Sequence, residues 1–106
     1  MNKKFNYLDS QFVSYDLIYR IHATKRMFSR NINESEVVEI LRNGAIIEEY
    51  PDDYLFPSVL MNGKTRNGKP LHVVAGIDVA DKKLFIITVY EPNDSLWGDD
   101  FCRRIK

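Results

Sequence analysis

The sequence contains one cysteine, Cys102, so no disulfide can form within the chain. It has two histidines, His22 and His72, and a cysteine–histidine zinc site would have to recruit carboxylates to reach four ligands. No metal and no other cofactor is expected. Long apolar runs are missing: a stretch such as Leu84 to Tyr90 falls far short of the roughly 20 residues that cross a bilayer. Met1 to Phe5 is basic and then mixed, without an apolar h-region, so neither a signal peptide nor a membrane partner is expected, and a cytoplasmic location is. There is no glycine-rich phosphate loop, no nucleophile elbow and no HExxH pair. Repeats, low-complexity tracts and interdomain linkers are absent too.

A surplus of either charge is also lacking, because 15 Lys and Arg balance 15 Asp and Glu. Non-specific nucleic-acid binders usually carry a basic excess, since phosphate neutralisation supplies much of their affinity. Any basic surface here must come from uneven distribution, and the distribution is uneven. Lys25, Arg26 and Arg30 cluster, as do Lys64, Arg66 and Lys69, and Arg103, Arg104 and Lys106. Acidic residues gather at Glu34–Glu39, Glu48–Asp53 and Glu91–Asp100.

What is present suits one packed domain: 106 residues, 44% apolar and 12% aromatic. Residues 1–15 lack a clear period and read as an irregular arm; residues 16–106 read as a single α+β domain. From about Asp16 to Arg30 the apolar residues Ile18, Ile21, Ala23, Met27 and Phe28 follow a loose helical spacing. Leu17–Ile21 also suits an extended segment, with the helix starting nearer His22. Arg30-Asn31 breaks this helix from the next. Asn33 is a good N-cap, Glu36 completes a capping box, and Val37, Val38, Ile40 and Leu41 form one apolar face. Asn43-Gly44 closes that helix, with Gly44 expected in the left-handed conformation.

From Ala45 the period becomes strand-like. Strands are predicted at Ala45–Tyr50, Ser58–Thr65, Pro70–Asp78 and Lys83–Glu91. Asn67-Gly68 suggests a type I′ hairpin, Asn62-Gly63 a competing turn or a bulge, and a tight turn is expected near Asp81. In the tail, Trp97 and Phe101 are expected to dock on the body. The expected fold is therefore α+β: two N-terminal helices on one side of a three- to four-stranded antiparallel sheet. The other sheet face stays partly open to a ligand.

Three groups of residues suit phosphodiester chemistry. His22, Arg26 and Arg30 repeat every four residues and drift by about 40° per step, which makes one helix stripe. Histidine moves protons near neutral pH, and arginine holds phosphate through two parallel hydrogen bonds. A solvated polar face has the same pattern. His72 shares a strand face with Val74, Gly76 and Asp78, either as a core histidine or as an acid–base partner of His22 across the helix–sheet junction. Thr88 and Tyr90, expected on the face of Leu84 and Ile86, can stack a base or hydrogen-bond a phosphate, or simply pack. Lys64 and Arg66 near the hairpin tip are further phosphate candidates. Glu48, Glu49, Asp52 and Asp53 form two adjacent pairs, without metal-loop spacing, and read as an acidic loop.

Taken as a set, His22-Ala23-Thr24-Lys25-Arg26-Met27, Arg30, the Asn33 helix, Pro70-Leu71-His72-Val73-Val74 and Ile87-Thr88-Val89-Tyr90-Glu91-Pro92 resemble a widespread bacterial family of small uncharacterised domains. The resemblance covers roughly Tyr19 to Arg104. In size and element order that family resembles the RelE and BrnT toxins, a group of metal-independent ribonucleases. The resemblance implies an endoribonuclease toxin in which a ribose 2′-hydroxyl attacks the adjacent phosphate. His22 and His72 would then be the base and the acid, in either order. Arg26 and Arg30 would stabilise the phosphorane, and Lys64, Thr88 and Tyr90 would bind substrate. It also implies RNA and a small antitoxin-like protein as partners, because genes of the family often lie beside small zinc-binding or DNA-binding proteins. The alternative reading is a non-catalytic domain that binds protein or nucleic acid, consistent with the neutral net charge.

Overall fold

A computed structural model of the chain describes residues 15–53 and 55–93. The element order is β1 (Asp16–Tyr19), α1 (Ile21–Arg30), α2 (Glu34–Asn43), β2 (Ala45–Tyr50), β3 (Ser58–Lys64), β4 (Pro70–Asp78) and β5 (Lys83–Tyr90). The expected docking of Trp97 and Phe101, like nearly all of the expected N-terminal arm, falls outside the described residues. Tyr15, the last residue of that arm, is buried in the core.

Among the described residues the sheet has five strands in the order β1-β5-β4-β3-β2, and it is mixed. This corrects the expectation of three or four antiparallel strands. β2 to β5 form the expected antiparallel meander, while β1 adds an edge strand parallel to β5, with Leu17 opposite Leu84 and Tyr19 opposite Ile86. The loose helical spacing from Asp16 is overridden there. Leu17 and Tyr19 alternate toward the core, and Arg20 N–H continues the ladder to Ile86 O at 3.0 Å. The extended alternative for Leu17 onward is thus the one realised, and α1 starts at Ile21.

Both helices seal one sheet face. Ala23 and Met27 of α1 and Val37, Ile40 and Leu41 of α2 pack against Val59, Met61, Leu71, Val73, Ala75, Ile77, Leu84, Ile86 and Val89. Each large aliphatic buried this way contributes roughly 1.5–3 kcal/mol. The link between the helices turns at Asn31, which adopts the left-handed conformation (φ 58°, ψ 42°). Asn33 then caps α2: its side chain accepts from Glu36 N–H at 2.9 Å, and Glu36 accepts from Asn33 N–H at 3.0 Å.

Two turn expectations are corrected. Gly44 is extended, not left-handed (φ −81°, ψ −178°). A Cβ there would lie 2.6 Å from both Asn62 O and Ile40 O, so it is the close passage of β3 that requires glycine. The β3–β4 hairpin is not type I′, because Gly68 has positive φ (83°) and Asn67 does not. Gly68 N–H donates to Thr65 O at 2.8 Å and Thr65 N–H to Lys69 O at 2.9 Å. This is a three-residue loop that ends on a left-handed glycine. The turn near Asp81 is present, with Asp81 N–H donating to Asp78 Oδ1 at 3.2 Å and Lys82 at positive φ.

Candidate functional site

The sheet face away from the helices is built by β4 and its neighbours. Alternation sends Leu71, Val73, Ala75 and Ile77 into the core and leaves His72, Val74 and Gly76 on the far side. His72 is fully buried there, opposite Asn62 of β3 and Tyr90 of β5. Its ring meets the Tyr90 ring edge-on, with centroids 5.2 Å apart, and its Nδ1 lies 3.2 Å from the Tyr90 hydroxyl. When the ring proton sits on Nε2, the phenol donates to Nδ1.

This pairing depends on a bulge in β5. Val74 faces Thr88 and Ala75 faces Ile86, so Ile87 is an extra residue in the ladder. Simple alternation put Thr88 and Tyr90 on the face of Leu84 and Ile86, and the structure corrects this. The bulge inverts the facing, so that Val89 joins Leu84 and Ile86 in the core and Thr88 and Tyr90 turn to the far face beside His72. Lys64, exposed at the end of β3 and two residues past Asn62, lies on that same face by register. Four of the predicted residues (His72, Thr88, Tyr90 and Lys64) are thereby brought to one side of the sheet.

The other three are on α1. His22, Arg26 and Arg30 are exposed along one flank of the helix, next to the buried Ala23 and Met27. Lys25 is exposed on the same helix, and α1 has no acidic side chain. Among the described residues the ion pairs are Arg66 with Glu39 at 3.6 Å and Lys69 with Glu36 at 3.3 Å, so neither involves α1. Arg66 is thus held at the hairpin tip by a helix carboxylate. The histidines belong to different layers. His22 is exposed in the first turn of α1, and His72 is buried on the far face of the sheet against Tyr90.

The acidic segment is tied locally. The Tyr50 hydroxyl donates to Glu48, and the Ser58 hydroxyl donates to Asp53. On the helix side, a cavity of about 340 Å³ opens between Tyr19, Thr24, Met27, Phe28, Ile32 and Glu34. Sequence reasoning missed this cavity. It also missed a cluster of Arg20, Phe56 and Phe85, because three segments far apart in sequence supply it. The Leu55-Phe56-Pro57 segment carries no periodic signal of its own. No helix among the described residues is long and apolar enough to cross a membrane.

Residues 19–91 match the profile of a protein family described as Domain of unknown function (DUF4258). No curated protein and no solved structure matches the chain.

Proposed function

Because the chain belongs to that family, which has no assigned activity, we propose from the site itself that it is a metal-independent ribonuclease of the toxin kind. The observation that carries this reading is α1, which exposes an imidazole and three cations without one carboxylate, in a chain of zero net charge. Segregated charge of this kind attracts a polyanion where the whole molecule does not. In the proposed reaction a ribose 2′-oxygen attacks the adjacent phosphorus, and the 5′-oxygen leaves. One group takes the 2′-hydroxyl proton and another gives a proton to the leaving oxygen. His22 is the exposed proton-transfer group. Arg26 and Arg30, on the same helix flank, stabilise the phosphorane, and water protonates the leaving oxygen; His72 and Tyr90, on the opposite face of the sheet, serve strand binding and take no proton from this phosphate. Lys64 and Thr88 hold the strand, and a small antitoxin-like protein is the partner that restrains it.

The test is induced expression in bacteria with total RNA examined on a gel, beside cleavage in vitro in excess chelator. The wild type should arrest growth and fragment RNA, and chelator should leave cleavage intact. His22→Ala should lower the rate by about 10²–10⁴-fold, the range of one general acid–base group. Intact RNA and normal growth with soluble wild-type protein would sink the reading.

One observation favours a second reading, a non-catalytic interaction domain. His72 has no exposed surface, so only one imidazole reaches solvent directly. On that reading His22→Ala weakens binding and abolishes no activity.

A further inference from the structure

The sheet face away from the helices holds a cluster with no part in the reaction above. Phe85 of β5 stacks on Phe56, with centroids 5.3 Å apart and planes within 7° of parallel. The Arg20 guanidinium carbon stands over the Phe85 ring, 5.5 Å from its centroid. Three separate segments supply these groups, and the backbone fixes each one. Arg20 is anchored where the chain leaves β1, by its N–H to Ile86 O. The loop carrying Phe56 is pinned to β4 by Ile77 N–H donating to Pro57 O at 2.8 Å. Gly76 lies directly opposite Phe85, and a Cβ there would make ordinary van der Waals contact with Ile87 Cδ1, Phe85 Cβ and Pro57 O at 3.7 to 4.0 Å.

Neither phenylalanine belongs to the core between sheet and helices, and both are half-buried. Arg20 is exposed and takes part in neither ion pair of the described residues. An aromatic pair with an exposed guanidinium resting over one of its rings brings a π surface and a positive charge together. That combination suits a nucleobase next to its phosphate. Tyr90 lies on the same strand and face, roughly 15 Å along β5 at the usual rise per residue.

We infer that Arg20, Phe85 and Phe56 form a stacking platform for a base of single-stranded RNA. The inference rests on the RNA reading above and adds to it where a base binds and how. Recognition by stacking tolerates any base, so the platform provides grip and register more than sequence choice.

The experiment measures anisotropy of two labelled oligomers at low salt: oligouridine, and a ribose-phosphate oligomer of equal length without bases. Wild type, Arg20→Gln and Phe85→Leu are compared, with thermal melts to establish folding. The wild type should bind the base-bearing oligomer at least about fivefold more tightly, as one stacked base requires. In both variants that preference should fall toward one, while Phe85→Leu keeps the wild-type affinity for the base-free oligomer. Arg20→Gln changes an exposed side chain, so it decides the matter alone if Phe85→Leu fails to fold. A preference that survives in a folded variant overturns the platform and leaves the RNA reading standing. Wild-type protein that binds neither oligomer removes the RNA reading, and the platform with it.

Discussion

Tyr19 has a buried hydroxyl without a hydrogen-bond partner. Burial, and then the nearby Glu34 carboxylate, push its pKa up to about 12. The folded chain therefore keeps this proton to higher pH than the unfolded chain, which loses it near the ordinary value of 10. Folding stability should be intact below pH 10 and decline as the pH rises toward 12. Burial and then Asp78 push Tyr15 in the same direction, so part of the decline belongs to it. Tyr19→Phe should raise stability at pH 8 by about 1 kcal/mol, because an unsatisfied polar group leaves the interior. It should also flatten, without abolishing, the fall between pH 10 and 12. Denaturant melts at pH 8 and 11.5 measure both. At the same scale, Tyr90→Phe keeps the ring and removes the hydrogen bond to His72, at a cost of about 1 kcal/mol read in the same melts. The facing of His72 was legible from alternation along Pro70–Asp78. Its partner was not, because an extra residue in β5 leaves no mark in a run where apolar, β-branched and aromatic residues follow one another without alternation.

Local chemistry made α2 the most legible element. Asn33 and Glu36 form the capping box expected of them, and Asn33→Ala should cost about 1 kcal/mol in a denaturant melt. Its other end was read from the right residue for the wrong reason. Gly44 is needed for space against β3, and conformational freedom does not enter. Gly44→Ala should therefore destabilise by roughly 1–3 kcal/mol, as overpacking does, although alanine suits the backbone angles there. Strands β2 to β5 announced themselves by period and by the glycines and prolines between them. The segment Asp16–Tyr19 did not, because four residues are too few to distinguish one period from another. A distant partner, β5, decides their state.

For the molecule as a whole, zero net charge conceals a division. The carboxylates Glu36 and Glu39 on α2 hold Lys69 and Arg66, while α1 carries its cations unopposed. If RNA is gripped by α1, the double variant Arg26→Gln/Arg30→Gln should lower the slope of log affinity against log salt by about 1.4 for a single strand. A titration of oligomer binding across salt concentrations measures this, and an unchanged slope would remove α1 from the interface. The parallel pairing of β1 with β5 also has a consequence in time. Among the described strands β1 leaves the ribosome first, yet its partner is the last of them to be made, on the order of seconds later. Until then Leu17 and Tyr19 have no ladder to join, and the nascent chain carries an adhesive edge that any other strand can claim. Completion of the sheet thus waits on the same stretch that bears Thr88 and Tyr90, so the edge is closed and these two side chains are set in place in a single step.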